Sequence, residues 1–324
     1  RSTPIKSSAA SDVYKRQSMY ILLIPLPAKN RKSDFTEEFM FEQNTLIFEK
    51  TGKDTQVPEC TGIKSIDQFQ LKEKIHHFVK NSTDKVQVIV VDTEGDLLSL
   101  TDTTDSNIIS REIGDGTILE LIPYFGEDLT LSILSNLSFV VALCEQLCNE
   151  PISPRSVSVM NMAINKLYEQ KRTTPSMCEY LKILGISRDN PEIKHICECI
   201  KSVCRPDAKK VSGISLKKKL NIYDLHAVSQ TDLGAAYIFC LSDIFHQIQK
   251  NYPNGIRTCV YLNGVQNLLS FESSADVLVG ILKRARPFNA CIYCEVRNMS
   301  DYMGTYGGES SMCCFSNIFE LTKN

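Results

Sequence analysis

Hydrophobic residues follow two patterns along this chain, and the two patterns alternate. Short apolar runs bounded by polar or turn residues are typical of buried strands. Such runs cover residues 45–48, 85–91, 118–123, 220–225, 258–262, 291–296 and 313–319. Their spacing leaves room for helices between most of them, which is the pattern of an α/β protein.

In the segments between these strands, apolar residues recur at helical spacing. The predicted helices cover residues 65–80, 129–149, 153–170, 175–184, 191–203, 233–248 and 273–283. Several begin beside a proline or after an N-capping residue, as helices commonly do. Four of them follow one another without a strand, so residues 129–204 are predicted to form a helical block.

Composition narrows the class of protein. Of the 324 residues, 43% are hydrophobic and 23% are charged, which is ordinary for a globular chain with a substantial core. The net charge of −2 gives no electrostatic argument for direct binding of nucleic acid or an anionic membrane. The longest early apolar run, residues 20–28, is interrupted by two prolines and is shorter than the roughly 20 residues of a spanning helix.

The thirteen cysteines, without a recognisable signal peptide, favour a reducing compartment in which most thiols are buried. His195 and Cys199 share a helix face, and Cys291 and Cys294 form a C-x-x-C pair, a familiar half of a zinc site. However, Cys291 and Cys294 fall on a predicted strand and face opposite sides. No second ligand pair is evident near His195 and Cys199 in sequence, so we expect no zinc.

Residues 1–17 (RSTPIKSSAASDVYKRQ) differ from the rest of the chain. They resemble a read-through peptide found at the ends of proteins that are predicted from assembled short-read data. We therefore exclude them from the fold as an artefact of assembly and expect the true N-terminus to be missing.

Carboxylates follow the strand predicted over residues 85–91. Asp92 and Glu94 lie in the sequence DTEGD directly after it. Ligands of open α/β sheets bind at the carboxyl ends of the strands, so these two residues are candidates for a functional site. The alternative is a purely structural acidic loop, in which an aspartate caps the next helix.

The strand over residues 258–262 ends in Asn263 and Gly264. In P-loop NTPases a strand of this kind ends in Asp-Glu, where the aspartate helps to hold Mg²⁺ and the glutamate orients the attacking water. The chain therefore has the pattern of a nucleotide-hydrolysis strand without its two carboxylates.

The order of these parts resembles the C-terminal motor domain of type IV secretion and conjugative-transfer ATPases (TraE/TrbE-like), in the FtsK–HerA branch of P-loop NTPases. The resemblance covers residues 44–324 and combines several short matches in one order. They are NTLIFEKTGKDTQVPECTGIKSI, Asp92-Thr93-Glu94, Leu143-Cys144-Glu145, Lys166-Leu167-Tyr168, NIYDLHAV, VYLNGVQNLL, Lys283-Arg284-Ala285-Arg286, Arg297-Asn298 and Ser316-Asn317.

The resemblance implies an α/β fold with a RecA-like P-loop NTPase sheet flanked by helices and an inserted all-helical subdomain. Residues 18–128 are then the first part of the RecA-like domain, residues 129–206 the helical subdomain, and residues 207–324 the second part. It also implies ATP and Mg²⁺ as cofactors, with Gly62, Lys64, Ser65 and Asp92 at the nucleotide.

The phosphate loop that this implies is degenerate. A working G-x-x-x-x-G-K-[ST] loop needs glycines so that its backbone N–H groups close round the phosphates. In the best register, residues 58–65, Lys64 and Ser65 are retained, but Pro58 and Ile63 replace the two glycines. A second register places Gly52-Lys53 at the loop but has aspartate next instead of serine or threonine.

Three hypotheses follow, and the question whether the chain is an enzyme stays open. The first is a catalytically degenerate transfer ATPase with an assembly or regulatory role. The second is an active hexameric motor with an atypical site, in which Glu94 orients water and Arg286 acts as an arginine finger. The third is an unrelated α/β interaction module. The structural alternative for Arg286 is a solvated residue that complements the helix dipole.

The resemblance also implies partners and a location. The expected partners are proteins of the secretion or conjugation machinery, together with further copies of the chain or of related subunits. Nucleic acid is expected to be contacted only indirectly. The expected location is the cytoplasm, with at most peripheral attachment to the inner face of the cell membrane.

Overall fold

The structure is a computed structural model. It describes residues 43–49, 64–67, 73, 75, 79–81, 85–95, 97, 108–112, 129–170, 177–187, 189–203 and 218–322. These residues lie in the compact unit Glu37–Asn324.

A single sheet of eight parallel strands forms the centre of the described fold. The strands are β1 Thr45–Glu49, β2 Lys64–Asp67, β3 Val86–Asp92, β4 Ile108–Glu112, β5 Leu220–Asp224, β6 Arg257–Leu262, β7 Ala290–Val296 and β8 Asn317–Thr322. Their order across the sheet is β2-β8-β1-β7-β6-β3-β5-β4. Because all the pairings are parallel, the carboxyl ends of the strands share one edge.

Alternation of side chains explains why the central strands are apolar throughout. Val91 and Leu262 point into the core on one face of the sheet, and Val90 and Tyr261 point into the core on the other. A strand that is covered on both faces needs apolar residues at nearly every position, which is the pattern seen in the sequence.

Eight helices have defined bounds within the described residues. They are α1 Leu129–Cys148, α2 Pro154–Gln170, α3 Met177–Leu184, α4 Pro191–Val203, α5 Leu233–Asn251, α6 Glu272–Ala285, α7 Met299–Met303 and α8 Gly308–Met312. The first helix contacts α5 and α6, and it also contacts α2 and α4. It therefore joins the helical block to the helices that follow β5 and β6. None of the helices within the described ranges is both long and apolar enough to cross a bilayer.

The helices and the central strands confirm most of the elements predicted from sequence. The helix predicted over residues 65–80 starts later than Ser65, and residues 73, 75, 79 and 80 are helical. Lys64–Asp67 instead forms β2, which pairs with β8 at the edge of the sheet. The last strand begins at Asn317 and not at Cys313, because Cys313 and Cys314 belong to the turn that ends α8.

One strand was not predicted from the sequence, and two predictions concern residues that the structure does not describe. The edge strand β4 was not predicted. The predicted strand over residues 118–123 and the segment 1–17 lie outside the described residues. The proposed domain boundaries, near residues 128 and 206, stay predictions.

Candidate functional site

The turn after β3 is organised by the side chain of Asp92. One carboxylate oxygen of Asp92 accepts hydrogen bonds from the backbone N–H groups of Glu94 (3.1 Å) and Gly95 (3.0 Å), and the other accepts from that of Leu97 (2.7 Å). Burial raises the pKa of Asp92, although these three donors act in the opposite direction. Both carboxylate oxygens thus hold the turn together, as expected if Asp92 has a structural role in an acidic loop.

Asn263 follows β6 and lies beside this turn. Its side-chain oxygen accepts a hydrogen bond from the hydroxyl of Thr93 at 2.7 Å. Its backbone oxygen accepts another from the hydroxyl of Tyr237 at 2.9 Å, and its N–H donates to the carbonyl of Val91 at 3.0 Å. Asn263 is only 6% exposed, so a neutral amide is fixed at the carboxyl end of β6.

Gly264 occupies a conformation that favours glycine. Its φ is +69° and its ψ is 33°, in the left-handed region. A Cβ atom added at Gly264 would lie 2.5 Å from the hydroxyl oxygen of Thr93. Any larger side chain at this position, including glutamate, would therefore be strained and would push against Thr93.

An ion pair crosses the end of β6. The Nη2 atom of Arg297, which follows β7, lies 3.1 Å from Oε1 of Glu94, which follows β3. Since β6 lies between β7 and β3 in the sheet, this pair spans the strand that ends in Asn263 and Gly264. The two side chains are 68% and 36% exposed, and an exposed pair of this kind contributes at most about 1 kcal/mol.

A second carboxylate lies next to Asp92 on the neighbouring strand. Asp224, at the end of β5, pairs in register with Asp92 and is buried. Its Oδ1 atom lies 2.6 Å from Nδ1 of His226 and accepts a hydrogen bond from the N–H of the same residue. Asp224 and His226 were not predicted as site residues, although their position at the end of an apolar strand was a usable signal.

The structure places Lys64 and Ser65 away from this group. Both lie in β2, where Lys64 pairs with Phe319 of β8. Four strand spacings separate β2 from β6 and five separate it from β3, which corresponds to roughly 19 and 24 Å. A phosphate-loop lysine lies where a loop meets a helix, not within a strand. The register over residues 58–65 is therefore wrong as a phosphate loop. Gly62 and the second register, Gly52-Lys53, lie outside the described residues.

Arg286 lies at the opposite edge of the sheet from Asn263. It follows α6 in a short 3-10 turn, Arg286–Phe288, and its carbonyl accepts a hydrogen bond from Asn289. The carbonyl of Asn289 in turn accepts from Thr258 near the start of β6. Within one chain Arg286 is thus remote from the carboxyl ends of the strands. A role toward the nucleotide of a neighbouring subunit stays a prediction.

Sequence reasoning identified Asp92, Glu94, Asn263 and Gly264, and the structure brings all four to one edge. The contacts by which Thr93 and Tyr237 hold Asn263 in place were not predicted, although Thr93 is part of the Asp92-Thr93-Glu94 match. Tyr237 is part of the apolar stripe of α5, and a buried tyrosine hydroxyl generally requires a partner. That requirement was the only available signal, and it does not identify the partner.

No protein-family model matches the sequence, and a search of curated proteins finds no significant match. Solved structures do match. VirB4 of Thermoanaerobacter pseudethanolicus superposes with a TM-score of 0.63 at 15% identity, covering 86% of this chain and 76% of that chain. The bacterial conjugative coupling protein TrwB, in a trigonal form with sulphate, gives 0.51 at 13% identity, covering 85% and 69%.

The chain therefore shares its fold with VirB4 and with the conjugative coupling protein TrwB. This likeness confirms the expected α/β architecture, a RecA-like sheet flanked by helices. At 13–15% identity the structural likeness establishes the fold alone. The chemistry of the site must be argued from the residues described above.

Proposed function

We propose that this chain is a transfer-ATPase-like component of a conjugation or type IV secretion apparatus, with impaired ATP hydrolysis and an assembly or regulatory role. Its fold supports the first part of this proposal, because VirB4 and TrwB have the same architecture. Proteins of such an apparatus are then its partners, in an oligomer of this chain or of related subunits. We place it in the cytoplasm, at most peripherally attached to the membrane.

The observation that carries the second part is the arrangement at the end of β6. Hydrolysis in P-loop NTPases uses acidic side chains to hold Mg²⁺ and to orient the attacking water. Asn263 presents a neutral amide that already accepts a hydrogen bond from Thr93, and Gly264 has no side chain. Because Gly264 is left-handed and close to Thr93, its backbone is adapted to glycine and not to a carboxylate-bearing residue.

A direct test is the rate of ATP hydrolysis by the purified chain with Mg²⁺. We expect no turnover above background, and the same result for Lys53→Ala and Lys64→Ala. Calorimetric titration with ATP and Mg²⁺ then separates a chain that binds nucleotide without hydrolysis from one that does not bind it. Hydrolysis by the native chain that disappears in either lysine variant would overturn the proposal.

Asn263→Asp adds a sharper control. Asparagine and aspartate have the same shape, and Thr93 can donate its hydroxyl hydrogen to either, so this variant should fold normally. We expect it to remain inactive, because position 264 still lacks a water-orienting carboxylate. Substantial activity in Asn263→Asp would show that only the metal-holding group was missing.

A second candidate function is an active motor in which Glu94 supplies the water-orienting carboxylate. The observation in its favour is the position of Glu94, which lies over the end of β6 and is partly exposed. Its pairing with Arg297 is weak enough to open when a ligand binds. If this candidate is correct, Glu94→Gln abolishes hydrolysis and Arg297→Ala leaves the carboxylate available.

A further inference from the structure

Two thiols and an imidazole converge where α1 ends. Cys148 is the last residue of α1, and His195 and Cys199 lie four residues apart on α4. The Sγ atoms of the two cysteines and a ring nitrogen of His195 all lie within 4.8 Å of one another. Within the ranges described here, this is the group of three ligand side chains close enough to share one metal ion.

A fourth ligand lies beside them. Asn149 adopts a left-handed conformation (φ +53°), which turns the chain sharply after α1. The turn brings Glu150 toward α4, where its Oε1 atom lies 3.5 Å from Nε2 of His195. The carboxylate and the imidazole are about half exposed, so both can rotate toward a bound ion.

The distances fit a tetrahedral zinc site. With Zn–S near 2.3 Å and Zn–N and Zn–O near 2.1 Å, tetrahedral geometry separates sulfur from nitrogen by about 3.6 Å and nitrogen from oxygen by about 3.4 Å. The Sγ atom of Cys199 lies 3.6 Å from Nε2 of His195, and Oε1 of Glu150 lies 3.5 Å from the same nitrogen. The Sγ atom of Cys148 lies within 4.8 Å of both the Cys199 sulfur and the His195 ring.

The chemistry of the ligands also selects the metal. Thiolates and imidazole favour Zn²⁺ over hard cations such as Mg²⁺ and Ca²⁺, which require oxygen ligands. Four ligands from the protein close the coordination sphere, as in structural rather than catalytic zinc sites.

We propose that Cys148, Glu150, His195 and Cys199 bind a structural zinc ion that joins the end of α1 to α4. This proposal goes beyond the proposed function and does not depend on it. The first helix also packs on α5 and α6, so the ion would fix α4 to the helix that joins the helical block to the rest of the fold. A polar contact already holds α4 against the chain just after Glu150, because Glu192 at the start of α4 accepts hydrogen bonds from Ser153 and Ser156 at the start of α2.

The test is the metal content of the purified chain. The protein is incubated with equimolar ZnCl₂ in the presence of a non-thiol reductant, desalted, and analysed by mass spectrometry of the metal. We expect near-equimolar zinc in the native chain and in Cys313→Ser, a control at an exposed cysteine outside the cluster. Cys148→Ser, His195→Ala and Cys199→Ser should each weaken binding by more than the 10- to 100-fold typical of second-shell changes.

Two further readouts keep the proposal falsifiable if a variant folds poorly. Cobalt(II) added to the native chain should give the intense visible bands of a tetrahedral ion, together with a thiolate-to-cobalt charge-transfer band. The variant Glu150→Gln should alter the visible bands. Zinc should raise the melting temperature of the native chain and of Cys313→Ser, but not of Cys199→Ser. A reduced native chain that retains no zinc overturns the proposal. A Cys148–Cys199 disulfide whose reduction restores no zinc binding overturns it as well.

Discussion

Thr93 donates its hydroxyl hydrogen to the side-chain oxygen of Asn263 at 2.7 Å, and this contact connects the turns that follow β3 and β6. Asn263 is nearly inaccessible to water, so its oxygen has no ready replacement for this donor. The stability of the candidate site therefore depends on a contact that was not predicted from the sequence.

Replacing Thr93 with valine should lower the free energy of unfolding by about 1–3 kcal/mol. Valine keeps the shape of threonine but leaves the oxygen of Asn263 buried without this donor. Urea denaturation followed by circular dichroism measures the change. Thr93→Ser retains the hydroxyl and is the matched control, and equal losses in the two variants would contradict this account.

Replacing Gly264 with alanine should destabilise the chain by about 1–3 kcal/mol. The left-handed backbone and the approach to the Thr93 hydroxyl oxygen both oppose a Cβ atom at this position. Gly280 offers a control, because it lies within α6 and a Cβ atom there meets nothing within 4 Å. Gly280→Ala should therefore stabilise the chain by roughly 0.5–1 kcal/mol. Stabilisation of the chain by both substitutions would be evidence against the strain at Gly264.

The ion pair between Glu94 and Arg297 should make only a small contribution to stability. In a double-mutant cycle with Glu94→Gln and Arg297→Ala, we expect a coupling energy below about 1 kcal/mol. The coupling should fall further in 1 M salt, because both side chains are exposed and salt screens them. A coupling of several kcal/mol that is insensitive to salt would mean that the pair is far less accessible than the structure indicates.

The chain should lose stability in mild acid through His246. Burial, with a smaller contribution from Lys250, lowers the pKa of His246 from 6.5 to about 4. Between pH 6.5 and pH 4 the unfolded chain therefore binds a proton that the folded chain does not. The free energy of unfolding decreases as the pH falls through this window, by on the order of 2 kcal/mol after allowance for partial exposure.

His246→Gln isolates this effect from the titration of other groups. At pH 7.5 both proteins carry a neutral side chain at this position, and the difference between their stabilities there is the reference value. As the pH falls toward 4, that difference should shift in favour of the variant. Parallel stability curves for the two proteins across the window would rule out His246 as the source.

The central strands were predictable because each is buried on both faces. A strand of this kind has a continuous apolar run, which can be recognised without knowing which strands lie beside it. The edge strand β2 was not predictable in the same way. Its sequence KSID contains a single apolar residue, and β8, its strand partner among the described residues, comes roughly 250 residues later in the chain. The same limitation applies to β4, whose sequence IISRE ends in charged residues.

The candidate site was partly predictable for a similar reason. Asp92 and Asn263 follow apolar strands, so their position at the carboxyl edge could be read from the sequence. The mistaken placement of Lys64 came from matching a short motif without knowing that the segment pairs with β8. Cys148 and His195 are brought together only by the packing of α1 on α4, which no local pattern reports.

The left-handed backbone at Gly264 has a consequence for how this protein can change by mutation. A glutamate gained there by a single substitution would meet the hydroxyl of Thr93 before it reached any ligand. Restoring an Asp-Glu pair therefore requires coordinated changes in two separate loops, and the intermediate sequences are less stable than the starting one. Single substitutions made one at a time therefore do not lead from this chain to an acidic pair unless other mutations first stabilise the fold.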